Sequence, residues 1–248
     1  MRLRPLVALI LIIGSGGAAA ADLVVSAASS LTDAFQAVGK AYEGKHPGTH
    51  VVLNFAASDV LLRQIASGAP ADVFASADQT AMDKAVEAKA IVPATCRDFA
   101  SNRLVLIVPK GSKARVTSPA DLKADTIKRV AYGDPASVPV GRYTKAALEQ
   151  QGLWDVVSAK GVLAQNVRQS LDYVARGEVD AGFVFATDAS IVKDKVDVAA
   201  TVPTPKPITY PIAVVAGSKQ SGEAASFEAF VQSPEGRGIL AGFGFQAP

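Results

Sequence analysis

Apolar residues along this chain form two alternating patterns: short continuous runs, and segments in which they recur at helical spacing. The run from Leu23 to Ala27 predicts a β-strand. Ser29 and Ser30 follow it and mark a helix start. The predicted helix carries its apolar residues three or four positions apart, at Leu31, Ala34, Phe35, Val38 and Tyr42.

The same order of strand and then helix recurs twice within the next fifty residues. Strands are predicted at 51–55 and 72–75. A helix opens at Ser58-Asp59 and ends at Gly68, and Asp78 caps another. Three such units predict a mostly parallel sheet with helices on its faces.

A second set of strands and helices begins with the apolar run from Leu104 to Val108. It continues with strands at 129–132, 162–164 and 181–185 and helices at about 141–151 and 167–175. Three prolines between Val202 and Pro207 exclude a central strand or helix there and predict a linker. Ile212 to Ala216 then predicts another strand, and Phe227, Phe230 and Val231 mark a last helix.

The two sets predict an α/β protein with two lobes, each a central sheet flanked by helices. The chain is expected to cross between them near Leu104 and Ile212. The first lobe would comprise 22–103 plus 211–248, with the C-terminal helix returning to it, and the second lobe 104–210. Two crossing strands predict a cleft that closes by hinge motion on a ligand.

Residues 1–21 have the pattern of a secretory signal peptide. Arg2 and Arg4 precede an apolar run from Leu6 to Ile13 and a small-residue stretch that ends in Ala19-Ala20-Ala21. The apolar run is too short to span a membrane, although an uncleaved anchor is the alternative. We therefore expect cleavage near Asp22 and a periplasmic location, where disulfides are not required.

Composition excludes several classes of function. The 248 residues contain 25 Lys+Arg and 23 Asp+Glu, which leaves no basic excess for binding nucleic acid. The single Cys96 excludes an internal disulfide and is expected to act as a small apolar side chain. His46 and His50 flank Pro47-Gly48, so a solvated turn is expected there rather than a metal site.

Catalytic motifs are largely missing from the sequence. Ser190 and Lys193 have S-x-x-K spacing, but the motifs that accompany it in penicillin-recognising enzymes are absent. No G-x-S-x-G or phosphate-loop motif occurs. An exported hydrolase using Ser30 or Ser58 as nucleophile stays an alternative, although neither motif contains a general base. We expect a binding protein, not an enzyme.

Small hydroxyl residues or tight turns precede four of the predicted helices, at Ser29-Ser30, Ser58, Val138 to Gly141, and Asn166-Val167. Each helix start offers unpaired backbone N–H groups and the positive end of a dipole. Several helix starts aimed at one cleft would bind an anion without any cation. The alternative is that these residues are ordinary helix caps that point in different directions.

Five segments resemble the periplasmic molybdate-binding proteins of ABC transporters, the ModA family. They are Ala27 to Thr32, Asn54 to Ser58, Gly68 to Asp78, Gly133 to Gly141 and Tyr210 to Val215. The resemblance runs from about Leu23 to Phe245. It implies a type II periplasmic-binding-protein fold with two crossover strands as its hinge. It also implies capture of a tetrahedral oxyanion between the lobes, and delivery to a membrane permease driven by a cytoplasmic ATPase.

By this resemblance, the oxyanion is bound by Ser30 and Ser58 through hydroxyl and N–H groups, and by the backbone N–H groups of Val140 and Val167. The family's fifth donor, a tyrosine hydroxyl, is replaced here by Phe185. Thr187 and Tyr143 could substitute for it, but packing or capping is the expected role of both. No cofactor is implied, and molybdenum is bound only as its oxyanion.

Two charged residues adjoin these positions. Asp59 follows Ser58, and we expect it to face solvent because it would repel a dianion. Arg168 follows Val167 and is expected on the surface, although it could also offset the ligand's charge. The predicted function is therefore a monomeric receptor for molybdate and tungstate, and the alternative is a receptor for another tetrahedral oxyanion such as sulfate.

Overall fold

The computed structural model describes residues 21–248. The predicted signal peptide falls outside these residues except for its last position. Within residues 21–248, no helix has both the length and the apolar character needed to cross a membrane.

Lobe 1 is built on a five-stranded sheet with the order β2-β1-β3-β10-β4. Its strands are β1 (Ala21–Ala28), β2 (Thr49–Ala56), β3 (Val73–Ala75), β4 (Arg97–Asn102) and β10 (Ile208–Val214). The first three are parallel, and β10 runs antiparallel to both β3 and β4. The helices packed on this sheet are α1 (Thr32–Lys45), α2 (Ser58–Ala66), α3 (Gln79–Glu87), α8 (Ser221–Gln232) and α9 (Pro234–Gly242).

Lobe 2 is built on a second five-stranded sheet with the order β7-β6-β8-β5-β9. Its strands are β5 (Leu104–Pro109), β6 (Val130–Gly133), β7 (Gly161–Ala164), β8 (Ala181–Phe185) and β9 (Val196–Val202). Its helices are α4 (Pro139–Gln150), α5 (Trp154–Ser158), α6 (Val167–Ala175) and α7 (Ala186–Ser190). Most of the predicted elements agree with these bounds within two residues, but β10 begins four residues before its predicted start. The elements β4, β9, α5, α7 and α9 were not predicted.

The chain passes between the lobes twice. The first passage is Arg103, between β4 and β5, and the second is the proline-containing segment 203–207, between β9 and β10. Because β10 begins at Ile208 and pairs with β4 from Asn102 onward, Tyr210 lies in the sheet of lobe 1. The predicted lobe boundary after Tyr210 therefore cuts a strand and belongs instead at the start of β10.

The helices start and end where local chemistry favours it. Asp78 caps α3 by accepting a hydrogen bond from the Ala81 N–H, as the sequence predicts. Asn166 caps α6 in the same way through the Gln169 N–H, and Pro139 occupies the first position of α4. Buried apolar side chains of both sheets form one core with α4 and α6, while α2 and α3 pack in a second, smaller cluster of lobe 1. The predicted two-lobed α/β architecture is confirmed.

Candidate functional site

A small cavity lies between the two lobes, with an empty volume of about 200 Å³ including its mouth. Its lining contains all of the residues that the sequence analysis assigned to an anion site: Ser30, Ser58, Val140, Val167 and Phe185. A larger, open cavity of about 1270 Å³ including its mouth lies at one end of lobe 1, beside Gly68 and Ser218. The predicted residues therefore all line the cavity between the lobes, which is the smaller of these two cavities.

Lobe 1 supplies the two serines. Ser30 lies in a 3-10 turn, Ser29–Leu31, directly after β1, and Ser58 is the first residue of α2, directly after β2. Because β1 and β2 are parallel neighbours paired through Ala28 and Ala56, both serines follow the same edge of the sheet. Both side chains are buried.

Lobe 2 supplies two helix starts. Val140 is the second residue of α4 and Val167 is the first residue of α6. The preceding strands β6 and β7 are parallel neighbours paired through Gly133 and Ala164, so these helices also begin at one sheet edge. First-turn amides have no intrahelical acceptor, and the Asn166 cap takes the Gln169 N–H, not that of Val167. Backbone N–H groups in this turn are suited to binding an anion.

The hydroxyl oxygen of each serine forms a hydrogen bond with another polar group of lobe 1. The Ala77 N–H donates to Ser58 Oγ at 3.1 Å. Ser30 Oγ lies 3.1 Å from the hydroxyl oxygen of Tyr210, a fully buried residue of β10. Burial and the charge of Asp188 raise the pKa of Tyr210, so its hydroxyl stays protonated. Tyr210 carries no local signal of this contact, because its partner Ser30 is 180 residues away along the chain.

Phe185 forms an apolar wall of the cavity and is itself buried. Its ring packs edge-on against the rings of Tyr143 and Tyr210, with centroids 6.3 and 5.7 Å away. Neither candidate substitute donor, Thr187 nor Tyr143, is among the residues that line this cavity. Thr187 Oγ1 instead accepts a hydrogen bond from Asn102.

The expectation that Asp59 faces solvent is wrong. Asp59 is buried, and its carboxylate binds Lys84 Nζ at 2.6 Å and Arg142 Nη2 of lobe 2 at 2.6 Å. Arg142 Nε also binds Asp78 of lobe 1 at 2.7 Å. The two cations compensate a carboxylate that would otherwise oppose an anion nearby. Arg142, in the first turn of α4, therefore joins the lobes, a role that was not predicted from the sequence.

Arg168 forms a second connection between the lobes and is not an exposed surface residue. Its Nη2 lies 2.7 Å from Asp33 of lobe 1, and its Nε lies 2.6 Å from Asp188 of lobe 2. Asp188 is fully buried, and desolvation raises its pKa to about 6 although Arg168 opposes that shift. The positive charge of Arg168 is thus taken up by two carboxylates.

The other candidate residues lie away from the cavity. His46 stacks on Tyr42 at the end of α1, while His50 is exposed in β2 and contacts Asp22. Cys96 packs beside a small apolar cluster of lobe 1, and burial raises the pKa of its thiol. Across residues 21–248, no three His, Cys, Asp or Glu side chains are grouped as metal ligands.

Two α/β lobes joined by two chain passages, with a cavity between them that is surrounded by helix starts, define the class of two-lobed solute-binding proteins. Comparison with known protein families supports this assignment. Residues 23–246 match the family of bacterial extracellular solute-binding proteins.

The curated relatives narrow the class further. The chain is 40% identical to molybdate-binding protein ModA of Escherichia coli, over 90% of this chain and 88% of the relative. It is 36% identical to ModA of Haemophilus influenzae, over 95% and 94%. The solved periplasmic molybdate-binding protein of Azotobacter vinelandii shares the fold, with a TM-score of 0.78 and 23% identity over 91% of this chain and 99% of that one.

The chain therefore belongs to the bacterial extracellular solute-binding proteins and, within them, to the ModA family of molybdate-binding proteins. These relatives are named as molybdate-binding proteins, so the expectation of a binding protein is confirmed.

Proposed function

We propose that this protein binds molybdate, and also tungstate, in the cavity between its lobes. Ser30 and Ser58 would donate through their hydroxyl and N–H groups, and Val140 and Val167 through their backbone N–H groups. The observation that carries the proposal is that these four residues, chosen from the sequence, line one cavity together with Phe185.

The proposed donors are all uncharged. Preorganised N–H and hydroxyl groups would replace the hydration shell of a tetrahedral dianion, and the helix dipoles would add favourable potential. Arg142 and Arg168 stand near the helix starts, but each is paired with two carboxylates, so neither is a free countercharge for the ligand. Selectivity would then rest on the size of the cavity and on its donors.

Isothermal titration calorimetry with molybdate, tungstate, sulfate and inorganic phosphate tests the proposal. We expect micromolar or tighter binding of molybdate and tungstate, and much weaker binding of the smaller sulfate. Gly44→Ala is a matched control, because Gly44 is exposed in α1 and a Cβ there would meet nothing within 4 Å. Micromolar binding of sulfate without any response to molybdate would contradict the proposal.

We further propose that the protein acts in the periplasm as a monomer and delivers its ligand to an ABC permease driven by a cytoplasmic ATPase. Closure of the lobes on the ligand would create the surface that the permease recognises. The pairing of lobe 2 arginines with lobe 1 carboxylates supports such a closed state. Small-angle X-ray scattering should show a smaller radius of gyration with molybdate, at the mass of one chain.

A further inference from the structure

A buried row of hydrogen-bonded side chains connects to Ser30. Asn102, the last residue of β4, places its amide nitrogen 3.2 Å from the Tyr210 hydroxyl oxygen and 2.9 Å from Thr187 Oγ1. The Tyr210 oxygen in turn lies 3.1 Å from Ser30 Oγ. All four side chains are buried, so water does not compete freely for these contacts.

The direction of the first hydrogen bond follows from Asn102. The oxygen of its side-chain amide accepts the Arg103 N–H at 2.8 Å, which identifies the nitrogen as the atom that faces Tyr210 and Thr187. An amide nitrogen donates and does not accept. The Tyr210 oxygen is therefore an acceptor toward Asn102.

The direction of the second hydrogen bond follows from Tyr210. Its hydroxyl has a single hydrogen, and a buried donor left without an acceptor is costly. Within residues 21–248, the hydrogen-bond partners of this hydroxyl are the amide nitrogen of Asn102, which can only donate, and the hydroxyl oxygen of Ser30. Tyr210 therefore donates to Ser30 Oγ, and the hydrogen of the Ser30 hydroxyl is left for the cavity.

Ser58 is oriented by a different group with the same result. Its oxygen accepts the Ala77 N–H, and a backbone N–H cannot accept a hydrogen bond in return. Both serine oxygens are thus occupied by donors from lobe 1, and both hydroxyl hydrogens are free for a ligand.

We propose that Tyr210 and Asn102 are positioning residues that make Ser30 a hydrogen-bond donor only, so that the cavity favours oxyanions without a proton. A protonated oxyanion such as hydrogen phosphate needs an acceptor for its own O–H, and an unpaired O–H in the cavity is costly. This inference rests on the proposed oxyanion-binding function and deepens it, because it assigns selectivity to residues that do not line the cavity.

The variant Tyr210→Phe tests the inference, because it removes the hydroxyl and keeps the ring. We expect molybdate affinity to fall about 3- to 30-fold, as for one weakened hydrogen bond. Phosphate, measured by its competition with molybdate, should lose less affinity or gain some, because Ser30 can then rotate and accept. The molybdate-to-phosphate preference should therefore narrow at least about threefold. A mere packing defect would weaken both anions alike.

A double-mutant cycle with Ser30→Ala gives a second readout. Without the serine hydroxyl there is nothing to orient, so Tyr210→Phe should change molybdate affinity by less than about twofold in that background. Tyr132→Phe is the matched control, since Tyr132 is a buried tyrosine of β6 that packs against Trp154. It should leave both affinities unchanged.

The variant Asn102→Asp tests the same inference and can be used if Tyr210→Phe does not fold. A carboxylate accepts the Tyr210 hydrogen, so Tyr210 would accept from Ser30, and Ser30 would present a lone pair to the cavity. The new charge repels both anions, so the preference for molybdate over phosphate is the readout, and it should narrow. Circular dichroism and thermal melting verify that each variant is folded.

The outcomes separate this inference from the proposed function. If the unmodified protein does not bind molybdate, the proposed function fails whatever the variants do. If it binds molybdate, but folded Tyr210→Phe and Asn102→Asp keep its preference over phosphate, the orienting role of Tyr210 is overturned while the proposed function stands.

Discussion

The two lobes contribute different chemistry to the same cavity. Lobe 1 contributes serine side chains whose hydroxyl groups are held by Ala77 and Tyr210, whereas lobe 2 contributes Val140 and Val167, whose proposed donors are backbone N–H groups. A hydroxyl can donate or accept, so its direction must be set by neighbours; a backbone N–H can only donate, so its position alone matters. The two halves should therefore respond differently to substitution.

The strongest disruption of the lobe 2 half is expected from Gly141→Ala. A Cβ at Gly141 would lie 1.9 Å from the Gly133 carbonyl oxygen, so the first turn of α4 must shift and take the Val140 N–H with it. We expect at least about a hundredfold loss of molybdate affinity, because hydrogen-bond strength falls steeply with poor geometry. Calorimetry measures it, with Gly44→Ala as the control. Unchanged affinity would mean that α4 does not position a donor.

Substitutions of the serines should lower molybdate affinity, whereas substitutions of the valines should lower the stability of the fold. Ser30→Ala and Ser58→Ala are each expected to weaken molybdate binding about 10- to 100-fold, since one hydrogen bond to a charged group is lost. Val140→Ala and Val167→Ala keep the backbone donor, so affinity should change less than about threefold. Because both valines are buried, truncating either side chain to alanine should instead lower the melting temperature. If the valine variants lose as much affinity as the serine variants, lobe 2 does not bind the ligand through its backbone alone.

The two arginines that join the lobes should also differ. Both partners of Arg142 belong to lobe 1, whereas Arg168 shares its charge between Asp33 of lobe 1 and Asp188 of its own lobe. Arg142→Gln should therefore favour the open form more than Arg168→Gln, with an affinity loss of about tenfold. Small-angle scattering of the ligand-free variants checks this order, and a larger opening for Arg168→Gln would reverse it.

Phe185→Tyr adds the donor that the ModA resemblance leads one to expect. Because Phe185 lines the cavity, the new hydroxyl should tighten molybdate binding by up to about tenfold. Phe185→Leu is the control, because it changes the apolar wall without adding a donor. Weaker binding on titration of the tyrosine variant would show that the cavity has no room for the hydroxyl.

The smallest effect concerns the pH dependence of stability. The pKa of Asp188 is raised from 3.8 to about 6, so the folded state holds this proton more tightly than the unfolded state. The contribution of Asp188 is fully present below about pH 4 and is lost as the pH rises to about 6, by up to about 3 kcal/mol. Denaturant unfolding at each pH should show that Asp188→Asn lacks this decline. The exposed Asp194→Asn should retain it.

Local pattern was sufficient for most of the fold. The strand β8 coincides with the predicted run from Ala181 to Phe185, because five buried residues without polar side chains lie between Asp180 and the start of α7. The strand β4 was missed because its sequence, from Arg97 to Asn102, alternates poorly and becomes a strand only by pairing with β10. The error at Asp59 has the same origin, since its partner Arg142 is 83 residues away.

The sequence by itself determined most of the elements, and it marked the helix starts where unpaired N–H groups must occur. Spacing and capping act over a few residues, so both can be read locally. Only the tertiary structure decided that four of these starts meet at one cavity, that Arg142 neutralises Asp59, and that Tyr210 turns the Ser30 hydroxyl toward the cavity. Hydrogen bonds and ion pairs act over a few ångströms in space, and these partners are far apart along the chain.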